Sequence, residues 1–239
     1  MAEQTHRLVK EPRMTAKELA DFMVASETAR RTLVRNCKFR PIARVTQHNL
    51  AKQCLSKFFR EGRSDVSGMH AEEDRLRSML VDSEFERDLY DHNADYISRF
   101  AAVYDQLEFP SAEILAQGAP VSHSANGVKV NADLQFRLRR LTKTNKVKVG
   151  AGVFRYTKGK AVQPEAAAYH AAFVFGVLGA TAIEPDQPEE KLCLVIDAYA
   201  GKTHPAPTDS TRRFGNMQAA CATIAERWPN VAPPDGAVY

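Results

Sequence analysis

The first feature of the chain that points to chemistry is a single carboxylate in the middle of a predicted strand. Residues 128–138 alternate apolar and polar side chains almost without a break, which is the pattern of a half-buried strand. Asp133 lies at the centre of the polar face. A carboxylate is an oxygen ligand suited to Mg²⁺, but this strongly hydrated ion usually needs further oxygen ligands. Asp133 alone therefore does not predict a metal site.

The common catalytic motifs are absent from the sequence. It contains no Gly-x-Ser-x-Gly elbow, P-loop, Gly-x-Gly-x-x-Gly fingerprint or His-Glu-x-x-His pair. The histidines are mostly isolated, and we interpret His170, on an apolar helix, as a core residue rather than a metal ligand. The four cysteines form no Cys-x-x-Cys pair, which favours reduced thiols in a cytoplasmic protein. No apolar run reaches the ~18 residues of a membrane span, so no membrane partner is expected.

Positive charge is concentrated in the first quarter of the chain. Thirteen Lys and Arg residues against five Asp and Glu residues give residues 1–60 a charge of +8, so the remainder carries −4. Such a segment is typical of phosphate binding or of contact with an acidic partner, although a solvated helix surface has the same composition. The predicted contact residues are Arg30, Arg31, Arg35, Lys38, Arg40 and Arg44.

The strongest structural pattern lies between residues 127 and 199. The strand around Asp133 is followed by a second strand at 147–156, whose Gly150 and Gly152 allow a close neighbour. A helix then begins at Pro164, in a position where the missing N–H costs nothing, and is apolar nearly all round. Residues 192–199 form a continuous apolar run, typical of a strand covered on both faces.

These patterns predict an α+β fold with a central mixed β-sheet flanked by helices. We expect a flexible leader at 1–13, an all-helical N-terminal segment at 14–109, an α/β core at 110–229 and a flexible tail at 230–239. The helical segment opens with the capping box of Thr15 and Glu18. A further helix is expected near residues 46–60, and another begins after Ser83.

The order of these elements resembles that of the PD-(D/E)XK nuclease-like superfamily, including its RecB-type exonucleases. The resemblance implies a restriction-endonuclease-like core. In that family an aspartate on one strand and a Glu-x-Lys on the next hold Mg²⁺ and a water, and the lysine steadies the attacking oxygen. Asp133 falls at the position of the aspartate. Glu165 and Tyr169 resemble the Gln-x-x-x-Tyr helix motif of the exonuclease branch, with Glu in place of Gln.

The sequence departs from the family pattern at its metal ligands, because the strand at 147–156 has no carboxylate and no lysine at its centre. Candidates for the missing groups are Glu84 or Glu86 as an upstream acid, and Lys148, Arg155, Lys158 or Lys160 as a displaced lysine. An active nuclease would use Asp133 and Glu165 as Mg²⁺ ligands and Lys148 as the lysine. Without such roles, Asp133 is an exposed carboxylate or pairs with Lys148, Glu165 is favoured by the helix dipole, and Tyr169 is a core aromatic.

Three functional hypotheses follow. We favour a catalytically degenerate nuclease-like domain that binds DNA, RNA or an acidic partner through the basic residues and Tyr169. The second hypothesis is an active Mg²⁺-dependent nuclease with displaced ligands. The third is a protein-interaction module that binds no nucleic acid.

Overall fold

The computed structural model describes residues 4–42, 48–62, 65–115, 120–182 and 186–239. The helices in these ranges are α1 (Ala16–Val24), α2 (Glu27–Lys38), α3 (Asn49–Arg60), α4 (Ser67–Ser78), α5 (Glu84–Val103), α6 (Pro164–Thr181) and α7 (Ser210–Arg227). The strands are β1 (His6–Leu8), β2 (Arg13–Thr15), β3 (Phe39–Pro41), β4 (Glu113–Leu115), β5 (Ser122–Ala125), β6 (Val128–Asn131), β7 (Phe136–Leu141), β8 (Val147–Arg155), β9 (Gln187–Asp197) and β10 (Lys202–Pro205). The predicted α+β class with mixed sheet and flanking helices is confirmed.

A five-stranded mixed sheet forms the centre of the fold. Its strand order is β10-β9-β8-β7-β4, in which β8 and β9 are parallel and the other neighbours are antiparallel. The parallel pair requires a crossover, and α6 provides it, as expected for a connection between parallel strands. Residues 192–197, the C-terminal half of β9, and Ala198 after it are all buried, so the prediction of an interior strand is confirmed.

Helices cover both faces of this sheet. On one face, α6 packs against β9, α1 and α7, and their apolar side chains form one core cluster. On the other face, α3, α4 and α5 bury a second cluster that contains Phe136, Phe154 and Leu194 from the sheet. The nearly all-round apolar surface of α6 is explained by this position, because helices and strands surround it.

The predicted strand at 128–138 is two strands, and this is the main correction to the predicted elements. Strand β6 pairs with β5 and β2 in a separate three-stranded sheet, whereas β7 belongs to the central sheet. The chain turns between them at Asp133, whose φ of +51° lies in the left-handed region. The alternation did not reveal this turn because Ala132 and Leu134, on either side of Asp133, stay buried.

The N-terminal segment at 14–109 is not all-helical. It carries α1 to α5, but β2 ends at Thr15 and β3 spans Phe39–Pro41. Strand β2 pairs with β6, and β3 pairs antiparallel with β1 of the leader. Both are three residues long and form through pairing with distant segments, so they leave no periodic pattern in the sequence.

The two ends of the chain contact each other. The carbonyl oxygen of Val238 accepts hydrogen bonds from the backbone N–H groups of Thr5 and His6, both 3.0 Å long. The ring of Tyr239 lies 5.1 Å from that of Phe39. The leader and tail, both predicted to be flexible, thus lie against each other and against β3.

The glycines of β8 are explained by close approaches. A Cβ at Gly150 would stand 2.1 Å from the carbonyl oxygen of Leu192 in β9, as the sequence predicted for a close backbone. A Cβ at Gly152 would stand 2.0 Å from the ring of Phe136. In the part of the chain that the structure describes, no helix is long and apolar enough to cross a membrane.

Candidate functional site

The three predicted catalytic residues do not come together. Asp133 is exposed, and its Oδ2 accepts a hydrogen bond of 2.5 Å from Lys52 Nζ in α3. Glu165, in the first turn of α6, binds Arg213 Nη1 of α7 at 2.6 Å. Lys148 donates to Gln187 Oε1 at 2.9 Å. Each of the three side chains therefore has a different partner, and the alternative pairing of Asp133 with Lys148 does not occur.

The register of the sheet separates Lys148 from Asp133. Lys148 faces Arg140 in the pairing of β7 with β8. Arg140 lies seven residues after Asp133, which is about 20 Å along an extended chain. Within the described ranges, no group of three or more His, Cys, Asp or Glu side chains is arranged to hold a metal ion.

Several of the predicted basic contact residues have structural roles. Arg30 donates from Nε to the carbonyl oxygen of Phe22 at 2.9 Å. Lys38 Nζ donates to the carbonyl oxygens of Trp228, Pro229 and Val231, just beyond α7. These bonds satisfy backbone acceptors at helix ends, so the two side chains stabilise the fold.

The remaining members of the predicted set are dispersed. Arg31 binds Glu27, and Arg31 and Arg35 both line a groove of about 740 Å³ between α2, the end of α7 and the segment after it, together with Arg227. Arg44 lies outside the described residues. Tyr169 is partly buried, and the Arg213 guanidinium lies 4.8 Å from its ring centroid. Among the described members, Arg40 alone lines a second large cavity, where four further Lys and Arg side chains accompany it.

That cavity has a volume of about 760 Å³ and lies where β8 ends. It is bounded by α1, the α2–β3 junction, the start of α3, α5 and residues 154–158. Its charged or ionisable lining residues are Lys17, Glu18, Asp21, Arg40, His48, Lys52, His92, Arg155 and Lys158. Because β7 and β8 are antiparallel, the end of β8 lies beside the segment before β7, and Asp133 is therefore at the cavity rim.

Each carboxylate at this cavity is bonded to a cation. Asp21 Oδ1 accepts from Arg155 Nη2 at 2.5 Å. Glu18 Oε2 accepts from Arg40 Nη2 at 3.3 Å, and the same oxygen accepts from the Thr15 backbone N–H at 2.7 Å in the capping box. Together with the bond between Lys52 and Asp133, these pairs engage one oxygen of each carboxylate and offset its negative charge, which makes the group a poorer ligand for a metal ion.

The cations outnumber the carboxylates around the cavity. Five Lys and Arg side chains and two carboxylates line it, a balance of +3 with neutral histidines. Asp133 and Asp95 bind lining lysines from outside and reduce the balance to +1. Arg77, which shares Asp95, is itself paired with Glu73, so this outer pair leaves the balance at +1. An excess of positive charge in a concave, partly enclosed site attracts anions.

Arg155 is the most deeply placed of these cations. Its side chain is 8% exposed, and only Nη2 has a carboxylate partner. Nε and Nη1 are buried without a hydrogen-bond acceptor among the residues that the structure describes. A buried donor without an acceptor costs about 1–3 kcal/mol, so an anion that reached this guanidinium would be stabilised strongly.

Two side chains at the cavity have lowered pKa values. Burial by the cavity walls lowers the pKa of Lys17, and Arg155 lowers it further, against the opposing effect of Asp21. Lys17 nevertheless remains accessible to solvent, because the cavity is open. Burial and the neighbouring Lys17 and Lys52 lower the pKa of His48 to about 4. His48 is therefore neutral at pH 7, whereas a nearby anion would favour the charged form of Lys17.

Aromatic rings form one wall of the cavity. Tyr96 of α5 and Tyr156 after β8 are stacked, with ring centroids 4.1 Å apart and an interplanar angle of 8°. The ring of His48 meets both edge-on, at 5.6 Å and 5.7 Å. These ring contacts hold the three side chains in place beside the basic residues that line the rest of the cavity.

The sequence contained a partial signal for this site. Arg155 and Lys158 are among the candidates for the displaced lysine, and both line the cavity, together with Lys17 and Asp21 of the first helix. The position of Lys52 was missed, because nothing in the sequence places α3 beside the end of β8. Glu84 and Glu86, the candidates for the upstream acid, do not line the cavity.

Comparison with known proteins gives no assignment for this arrangement. No protein-family model matches the sequence, and no curated protein is significantly similar to it.

Proposed function

We propose that the chain is a nuclease-like domain that has lost catalysis and binds nucleic acid through the cationic cavity. The order β4, β7, β8, α6 and β9 within one mixed sheet supports a restriction-endonuclease-like core. Under this assignment, the cavity occupies the place of the nuclease active site, because it lies between Asp133 and the end of β8.

The observation that carries the proposal is the pairing of every cavity carboxylate with a cation. Mg²⁺ requires several negatively charged or polar oxygens, and it is repelled by a site with net positive charge. A phosphate group has the opposite requirement, since Lys and Arg side chains bind it through charge and hydrogen bonds. The positive charge of the cavity therefore disfavours binding of Mg²⁺ and favours binding of the phosphate groups of a nucleic-acid backbone.

Nucleic acid is favoured over an acidic protein because the cations are recessed. Glutamate and aspartate side chains on a folded partner would have to enter a cavity bounded by five segments of the chain. A nucleic-acid strand carries its charges on a narrow, flexible backbone and can enter such a site. An acidic protein partner becomes the better explanation if no nucleic acid binds.

Binding of labelled single-stranded DNA, single-stranded RNA and duplex DNA, measured by fluorescence anisotropy at low salt, tests the proposal. We expect Lys17→Ala and Lys52→Ala to weaken binding roughly three- to tenfold each, as for loss of one charged hydrogen bond. The matched control is Lys143→Ala, which removes an exposed lysine from the β7–β8 turn at the opposite end of the hairpin. Equal effects of all three substitutions, or no binding at all, would overturn the proposal.

Asp133→Asn separates this function from an active nuclease. Asparagine tolerates the left-handed conformation and cannot neutralise Lys52, so binding is expected to strengthen by a few-fold. Any cleavage in Mg²⁺ or Mn²⁺ should be unchanged by the substitution, as for a contaminating nuclease. Metal-dependent cleavage that disappears in Asp133→Asn would show instead that the domain is an active nuclease.

A further inference from the structure

We infer that the occupant of the cavity is a phosphomonoester, that is, the terminal phosphate of a nucleic-acid strand or the phosphate of a free nucleotide. For the terminal phosphate of a strand, the inference rests on the proposed function, nucleic-acid binding by the cavity. It adds to that function the chemical form of the phosphate that is bound. Three properties of the cavity carry it: its size, its depth and its charge.

The size of the cavity excludes a duplex from its interior. A roughly spherical space of 760 Å³ is about 11 Å across, less than the width of about 12 Å of the major groove of B-DNA alone. The volume falls within the range of about 300–1,000 Å³ that is typical of small-molecule sites. It therefore suits one or two nucleotides of a single strand.

The depth of the cavity favours an end over the interior of a strand. Arg155 is largely buried at the end of β8, where it lines the cavity together with side chains of α1 and α3 and binds Asp21 of α1. A terminal phosphate is attached to the nucleic-acid strand on one side only, so a single segment of the strand has to enter the cavity for the phosphate to reach this guanidinium. An internal phosphodiester requires two segments, one on each side of the phosphate, within the same width of about 11 Å.

The charge around the cavity favours the more highly charged phosphate. The Lys, Arg, Asp and Glu side chains that line the cavity sum to +3, and the sum is +1 when their outer partners are included. Lys17 has no ion pair or hydrogen bond within the described residues. A phosphomonoester carries about −1.5 to −2 at pH 7, whereas a phosphodiester carries a single negative charge. The guanidinium of Arg155 also has the fork geometry that binds two phosphate oxygens.

The test compares oligonucleotides of one sequence that differ only at their ends. Single-stranded DNA with a 5′-phosphate, a 3′-phosphate or two hydroxyl ends is titrated with the full chain by fluorescence anisotropy, with the label on an internal base. Inorganic phosphate and AMP are added in parallel thermal-shift measurements, which report binding of the free phosphate. We expect one phosphorylated end to bind about tenfold more tightly than the hydroxyl form, as for one or more additional charged hydrogen bonds.

Two variants identify the site. Arg155→Lys keeps the charge and removes the fork, and it should abolish the advantage of the phosphorylated end. Lys17→Ala provides a second measurement, because an accessible lysine without an ion pair can be removed even if Arg155→Lys fails to fold. Lys143→Ala, far from the cavity, should retain the full advantage.

Each result separates this inference from the proposed function. Equal binding of phosphorylated and hydroxyl ends, weakened in both cases by Lys17→Ala, overturns the inference and keeps the proposed function. Thermal stabilisation by AMP or phosphate that Lys17→Ala removes, with no binding of any oligonucleotide, keeps the phosphomonoester site and overturns nucleic-acid binding. A phosphate advantage that persists unchanged in both cavity variants overturns the assignment of the cavity.

Discussion

At the scale of single residues, Lys17 combines a cost to the fold with a position suited to a ligand. Its pKa is lowered, so the folded protein holds the protonated amine less well than the unfolded chain does. Such a cost to stability is common at binding sites, where a group is kept for its function. Asp133 also combines a cost to the fold with a position at the cavity. Its backbone lies in the left-handed region, which is uncommon for residues other than glycine, and its carboxylate binds Lys52.

The first prediction is that Lys17→Met stabilises the protein while weakening nucleic-acid binding. Because the pKa of Lys17 is lowered in the folded state, the penalty is fully present at neutral pH and declines as the pH rises through the folded-state pKa. The gain in melting temperature should therefore shrink at alkaline pH. Thermal denaturation of the wild type and the variant at neutral and alkaline pH measures it, and a variant less stable at pH 7 would contradict the account.

The second prediction concerns acid. The pKa of His48 falls from 6.5 to about 4 on folding, so the unfolded chain binds a proton first, and stability is lost as the pH falls from about 6.5 to about 4. A shift of this size corresponds to at most about 3 kcal/mol. His48→Phe preserves the ring contacts with Tyr96 and Tyr156 and should reduce this loss. Urea denaturation at pH 7 and near pH 4 measures how much stability the wild type and His48→Phe each lose on acidification. An equal loss in the two proteins would contradict the prediction.

At the scale of elements, the close contact of β8 with β9 determines where the cavity is built. Gly150 allows the backbone of Leu192 to approach, and this pairing brings the end of β8, with Arg155, beside Asp197 of β9. Asp197 in turn accepts hydrogen bonds from the backbone N–H groups of Val162, Tyr199 and Ala200. The segment before α6 and the turn after β9 are thereby fixed around the same end of the sheet.

The third prediction is that Gly150→Ala strongly destabilises the fold. Its Cβ would meet backbone atoms of Leu192, which cannot move without disrupting the parallel pair, so a loss of about 3 kcal/mol or more is expected. The matched control is Gly215→Ala in α7, where a Cβ meets nothing within 4 Å. Alanine there should stabilise the helix by about 0.5–1 kcal/mol. Similar effects of the two substitutions in chemical denaturation would contradict the packing described for β8.

The sequence predicted the long elements and missed the contacts between distant ones. The periodicity of residues 128–138 identified every buried apolar side chain of that stretch, and the left-handed turn at Asp133 leaves Ala132 and Leu134 buried on either side. It missed Gln135, which is buried because its Oε1 accepts a hydrogen bond from the backbone N–H of Phe154. Lys38 was predicted as a binding residue, yet it bonds to carbonyl oxygens about 190 residues away in sequence, a contact that no local pattern encodes. The cavity depends on α3 and α5 packing beside the end of β8, and for this reason only part of it was predictable.

At the scale of the whole molecule, charge is divided between structural and accessible roles. The excess of +8 in the first 60 residues predicted contact with phosphate or an acidic partner, with a solvated helix surface as the alternative. In the folded chain, Arg30 and Lys38 bind backbone carbonyls. The cavity is lined instead by cations from both parts of the sequence. They are Lys17, Arg40 and Lys52 from the first 60 residues, and Arg155 and Lys158 from strand β8 and the loop after it. The positive charge of the cavity is thus assembled by the fold from both halves of the sequence, in a recess rather than on an open face.

The most direct test of nucleic-acid binding by the cavity is the salt dependence of affinity for single-stranded DNA. Each phosphate contact contributes about −0.7 to the slope of log K against log salt concentration for single strands. We expect a clearly negative slope for the wild type, a slope smaller in magnitude by about 0.7 for Lys17→Ala, and no change for Lys143→Ala. Affinity that is independent of salt, or equal slopes for the wild type and Lys17→Ala, would contradict phosphate binding in the cavity.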